Sequence, residues 1–195
     1  MSKKKNVGNV SVAKPKAGGA VFLAPKGTAL PANALDELPE AYRCLGCISE
    51  DGVTNSQSTE SEDITDWEGD VVESAGSTYT ETYGMKFIEA TNADVLGYVY
   101  GADQVEVTET GIKVRHTGSD RDEGVLVVDT VLKGGRIDRL VIPRAKMQSI
   151  GDVVRKRNEV IGFEATIKAL GTDESDTTIE YIDAAPAAGD VKAGE

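Results

Sequence analysis

Apolar and polar positions alternate most clearly over residues 77–90 (STYTETYGMKFIEA). Tyr79, Tyr83, Met85 and Phe87 fall on one face together with Glu81, and Thr78, Thr80, Thr82 and Lys86 on the other. A period of two is that of a β-strand. Residues 159–170 (EVIGFEATIKAL) repeat the pattern, with Ile161, Phe163, Ala165 and Ile167 opposite Glu164, Thr166 and Lys168. Residues 124–132 (GVLVVDTVL) make a more apolar strand, Lys133-Gly134-Gly135-Arg136 a hairpin turn, and residues 136–143 a returning strand that ends at Pro143. Val105 and Val107, then Ile112 and Val114, alternate about a turn at Gly111. Residues 21–24 (VFLA) start a strand, residues 42–54 form another with a turn at Asp51-Gly52, and residues 177–182 supply the last.

Only one stretch reads as a helix. Thr91-Asn92-Ala93-Asp94 has the form of a capping box with Thr91 as N-cap, Val95, Leu96 and Val99 share a face, and Gly101 suits the stop. A helix this short survives only by packing on a sheet. Residues 53–66 are almost wholly polar, and they pair with residues 77–90 as a long hairpin (53–83) whose far end is Asp66-Trp67-Glu68-Gly69-Asp70. With little apolar surface of its own, such a hairpin is marginal alone and needs another chain to pack against. Residues 1–20, rich in Lys, Gly, Ala and Pro, read as a flexible arm, and residues 184–195 as a loose tail. The Pro- and Ala-rich stretch between them and the next strand, residues 25–39, is a surface loop that Leu35 and Leu38 pin down. The expected domain therefore spans 21–183. Its class is mainly β: an antiparallel β-sandwich or half-barrel of about eight strands with one flanking short α-helix.

Composition sharpens this picture in two ways. Aromatics are only 5% of the 195 residues, so the core must rest on Val, Ile, Leu and Ala. The net charge of −12 excludes an ordinary nucleic-acid binder, which gains affinity by displacing phosphate counterions with basic groups. A surface that must touch DNA without holding it is instead expected to be acidic. The charge is also segregated: residues 1–35 carry six Lys and no acid, residues 44–85 ten acids and no base, and residues 133–157 eight bases against two acids. That suits a subunit whose faces meet oppositely charged faces of neighbours, although a mixed surface clusters this way too. No apolar run is long enough for a membrane span, no apolar stretch follows the basic start as in a secretory signal, and two cysteines without such a signal point to a reducing compartment.

No motif assembles chemistry. Cys44-Leu45-Gly46-Cys47 lacks a second pair of zinc ligands and lies in strand-like sequence rather than at a helix start, so it reads as two small buried or half-buried thiols. The acids Glu60, Glu62, Asp63, Asp66, Glu68 and Asp70 do not follow calcium-loop spacing and read as a solvated face. His116 is the single histidine and has no nucleophile signature beside it. Trp67, alone among acids, suits either a subunit contact or local hairpin packing. No cofactor is expected, and no enzyme.

Several blocks, in order, resemble the major tail tube proteins of long-tailed, siphovirus-type bacteriophages. They are residues 45–54 (LGCISEDGVT), 66–72 (DWEGDVV), 91–101 (TNADVLGYVYG) and 139–146 (RLVIPRAK), together with the closing hairpin, and they cover roughly residues 40–183. Cys47 stands where an aromatic residue is expected in relatives. The resemblance implies a β-sandwich with a flanking helix, six copies to a ring, and inner sheets joined into a continuous barrel. Rings then stack around a tape measure protein and later pass double-stranded DNA without specific binding. A long hairpin and the terminal arms bridge successive rings, and terminator and baseplate proteins meet the tube ends. The place implied is the virion tail, made in the host cytoplasm, with no membrane partner. Carboxylates in the lumen would repel phosphate, and Glu60, Glu62, Asp63 and Glu81 are the candidate lumen or hairpin acids. Trp67, Lys3, Lys4, Lys5, Arg144 and Lys146 are the candidate subunit contacts. A contractile-tail or secretion-system tube would share the fold. The alternative of another class is a β-sandwich module that binds carbohydrate or protein, which predicts aromatics clustered at exposed loops.

Overall fold

The computed structural model describes Lys5, residues 7–174 and residues 176–184. Lys3, Lys4 and the expected tail from residue 185 onward lie outside them. Eleven strands and one α-helix follow one another among the described residues: β1 (Lys14–Pro15), β2 (Val21–Pro25), β3 (Arg43–Cys44), β4 (Ile48–Thr65), β5 (Val71–Phe87), α1 (Ala93–Tyr100), β6 (Val105–Thr108), β7 (Gly111–Val114), β8 (Gly124–Val131), β9 (Ile137–Ile150), β10 (Phe163–Ala169) and β11 (Ile179–Ile182). All but β6 and β7 join one antiparallel sheet in the order β3-β2-β8-β9-β10-β5-β4, with β1 added to β8 and β11 to β9. The sheet is open and does not close into a barrel. The mainly β architecture with one flanking helix is the one the periodicities predict.

Strand β8 shows why its sequence is nearly all apolar. Leu126 and Val128 enter a large core with Tyr83, Met85, Phe87, Ile142 and Ile167, while Val125 and Val127 enter a smaller one with Ala24, Tyr42 and Val141. Successive side chains point to opposite faces, and here both faces are covered. Helix α1 covers the large core through Val95, Leu96, Tyr98 and Val99. The loop before β3 covers the small one: Leu38 packs there and the Tyr42 hydroxyl donates to the Ala29 carbonyl at 2.9 Å. Leu35, expected to pin this loop, is exposed.

Four boundaries differ from the sequence expectation, each for a local reason. The helix is capped by Asn92, not Thr91: its side chain accepts from the Asp94 N–H at 2.9 Å, one residue inside the expected box. Strand β9 does not end at Pro143 but runs on to Ile150. Its β8 ladder shifts register between Gly124 and Leu126, and its other edge passes from β11 (138–141) to β10 (145–150). Pro143 thus falls where neither ladder needs an N–H, the place a sheet tolerates proline. Asp51-Gly52 does not turn the chain; the register of β4 against β5 shifts between Ile48 and Val53 and the strand continues. The segment before residue 21 is partly paired: Lys14 and Pro15 lie against Val131 and Thr130, and the Ser11 hydroxyl accepts from the Lys133 N–H at 2.6 Å.

Candidate functional site

The hairpin β4–β5 is the feature that the rest of the fold does not explain. Strand β10 pairs with β5 only from Phe87 to Glu81, where Ala169 is the last partner. Beyond it, among the described residues, Val71–Thr80 and the facing part of β4 pair as strands only with each other. Ten residues of β5 in extended form project about 33 Å at about 3.3 Å per residue. Glu60, Glu62 and Asp63 lie exposed along this projection. At its tip, Asp66 builds the turn: its Oδ1 accepts from the Glu68 and Asp70 N–H groups, at 3.0 and 2.9 Å, and Gly69 takes φ +92°. Trp67 stands wholly in solvent at this tip, with Ile64, Val71 and Val72 exposed nearby. Of the two expectations for Trp67, local packing within the hairpin is therefore not what the subunit shows.

Glu81 sits differently. It is only 3% exposed, on the apolar face that the alternation assigned it. Its Oε1 accepts from Asn55 Nδ2 (2.8 Å), Gln57 Nε2 (3.1 Å) and the Tyr83 hydroxyl (2.7 Å). Its Oε2 accepts from the Thr177 and Thr178 hydroxyls at 2.5 and 3.1 Å. Burial alone would raise its pKa, but the Thr177, Tyr83, Asn55 and Gln57 donors outweigh burial and bring it down to about 2. Within the subunit Glu81 is not a wall carboxylate facing solvent. It is the knot that ties the root of the hairpin to the approach of β11. Sequence reasoning saw the acid on an apolar face, which was the available signal, and did not see the five donors that converge on it.

A second buried polar centre escaped sequence reasoning. Asp129 and Arg139 are direct cross-strand partners in β8 and β9, with Nε–Oδ1 and Nη2–Oδ2 at 2.7 and 2.8 Å and both side chains buried. Arg139 Nη1 also donates to the Asp36 carbonyl at 2.7 Å, and Lys16 Nζ reaches Asp129 Oδ2 at 3.3 Å. One pair thereby holds the 26–42 loop and the N-terminal segment to the sheet. Its trace in the sequence is an acid inside VLVVDTV and a base before LVI.

The remaining candidates are accounted for one by one. Lys5 is exposed. Arg144 grips Glu123 through Nε and Nη2 at 3.1 and 3.2 Å and donates to the Gly171 carbonyl at 2.7 Å; Lys146 pairs with Asp120 at 2.8 Å. Arg144 and then Lys26 hold the Glu123 carboxyl at about 2. Both candidate contact bases are thus engaged within the subunit. Cys44 and Cys47 are free thiols; Cys44 is half-buried as expected, whereas Cys47 is exposed. The Cys47 thiol is pushed up by its hydrogen bond to Glu89, the opposite of what a redox nucleophile requires. His116 stacks on Tyr100 with ring centroids 4.2 Å apart.

A family profile described as phage tail tube protein matches residues 6–192, nearly the whole chain. The chain belongs to the phage tail tube protein family. No curated protein matches it. A tail tube subunit is a structural protein of the virion tail that assembles with itself into a tube. No helix among the described residues is long and apolar enough to cross a membrane.

Proposed function

We propose that six copies of this tail tube subunit close into a ring, that rings stack around a tape measure protein, and that the emptied channel then passes DNA toward the host. A ring requires heterologous contacts that close by rotation, and stacking requires contacts that stay open along the axis. The carrying observation is the roughly 33 Å of hairpin beyond Glu81, paired only with itself and exposed on both faces. An isolated two-stranded ribbon of this kind is marginal until it meets a neighbour. Glu60, Glu62 and Asp63 on this ribbon are the carboxylates offered to a DNA-repelling lumen or to basic surfaces of adjoining copies. Lys3, Lys4 and Lys5 serve as arm contacts between rings. Terminator and baseplate proteins close the two ends.

Negative-stain electron microscopy of the concentrated full chain tests this, beside a variant in which residues 60–77 are replaced by a two-residue turn. Every removed segment lies outside the cores, so the variant keeps its fold. The full chain is expected to form hollow tubes with six-fold end views, and the shortened chain single rings or monomers. Tubes that form equally well without the hairpin would refute its bridging role, and a full chain that stays monomeric would refute the self-assembling ring.

A further inference from the structure

The hairpin tip has a complementary surface on the same molecule, far along the sheet. The segment before β1 lies beside the end of β8 and the β8–β9 turn, held there by the Ser11–Lys133 bond and the β1–β8 pairing. Between them is an open groove of about 550 Å³ whose lining includes Val10, Val12, Val131 and Leu132 together with Lys14 and Lys133. Val10 and Val12 are 66% and 73% exposed. The tip offers the converse: exposed Trp67, Ile64 and Val71, with Asp66, Glu68 and Asp70 in the same turn, their carboxylates within 4.8 Å of one another.

We infer that this groove receives the hairpin tip of a second copy of the chain, with the Trp67 indole against its valines and the tip carboxylates beside Lys14 and Lys133. This rests on the tube reading above and names the contact that reading leaves open. Three observations favour this occupant. The sizes are compatible, a fully exposed indole and an open groove of about 550 Å³ lined in part by four apolar side chains. The charges are opposite in sign, from segments in which acids and bases are largely segregated in sequence. And the tip of the same chain is fully solvent-exposed, so its own groove is not what it occupies. A second basic run, Arg155-Lys156-Arg157, is an exposed loop. One contact of this size is weak, but repetition around a ring makes it cumulative.

Trp67 is the single tryptophan of the chain, so its emission reports this contact alone. On tube formation the emission is expected to shift to the blue and lose its quenching by acrylamide. Lys14→Glu/Lys133→Glu is expected to raise the protein concentration needed for tubes by about tenfold or more. Adding Glu68→Lys/Asp70→Lys to the same chain restores assembly, because the signs are exchanged on both partners. Tubes whose Trp67 emission equals that of the free subunit overturn the inference, as does Lys14→Glu/Lys133→Glu assembling like the parent. An equal loss from Arg155→Glu/Arg157→Glu also overturns it, since net charge and not the groove would then govern. Absence of tubes from the unaltered chain, seen in micrographs without reference to emission, would fail the tube reading itself.

Discussion

Replacing Glu81 by glutamine probes the hairpin root without removing its bulk. The carboxylate is 3% exposed and accepts from five side-chain donors. The fall of its pKa from the ordinary 4.5 to about 2 corresponds to about 3 kcal/mol of stability, at about 1.4 kcal/mol per pH unit. Glutamine can keep its oxygen toward Asn55, Gln57 and Tyr83 and turn its amide toward Thr177 and Thr178, whose hydroxyls can rotate to accept. The shape survives and the charge assistance does not, so Glu81→Gln is expected to lose about 2–3 kcal/mol at pH 7. The sign of the pH dependence follows from the lowered value. The stabilisation is complete above about pH 4.5 and is lost as pH falls toward about 2, so parent and variant should converge over that window. Urea unfolding of the dilute subunit at several pH values, followed by circular dichroism because Trp67 is a poor reporter of the core, measures both effects. A variant within about 0.5 kcal/mol of the parent at pH 7, or one with the same slope below pH 4.5, would refute the assignment of Glu81 as a structural knot.

Arg139→Met strands the Asp129 carboxylate in the sheet with only Lys16 nearby, and is expected to cost about 3–5 kcal/mol in denaturant unfolding. The paired change Asp129→Val/Arg139→Leu should recover part of that loss; no recovery would show that the bonds to the 26–42 loop matter more than the buried charge. Gly46→Ala places a Cβ 2.1 Å from the Glu89 carboxyl carbon at a residue with φ +68°. It should cost about 1–3 kcal/mol and speed hydrogen exchange at the Cys47 amide, which donates to Glu89 at 2.8 Å. Trp67→Ala should leave the unfolding free energy of the free subunit within about 0.5 kcal/mol, because the side chain touches nothing there.

The parts of the fold that sequence displays are those where one residue's environment repeats every second position. Residues 77–90 and 159–170 pair with each other along β5 and β10, and both were legible because one face is buried and the other wet. The hairpin beyond them was legible for the opposite reason: its polar run is too long for a loop and too poor in apolar residues for a core strand. Pro143 misled because its cost depends on whether a neighbouring strand needs its N–H, and that is decided by β10 and β11, far along the chain. Thr91 and Asn92 are both good caps, and Glu89 decides between them by accepting from the Asn92 amide. Asp129 and Arg139 are ten residues apart and face each other only once the β8–β9 register is set. The candidate site divides the same way. The exposed acids of the hairpin could be read directly, whereas the burial of Glu81 depends on Thr177 and Thr178, which arrive just before the last strand.

The hairpin and the N-terminal segment stand at opposite sides of one hydrogen-bonded sheet. From β5 the ladders run through β10, β9 and β8 to β1, with no loop interposed. If neighbours hold one another by these two ends, a tensile load on the filament crosses each subunit through rows of amide bonds and not through flexible connections. The sheet then acts as a stiff tie bar, and the compliance of the whole is left to the contacts between copies. Bending would open and close those joints while each subunit keeps its shape, so the bore could remain unobstructed in a curved filament.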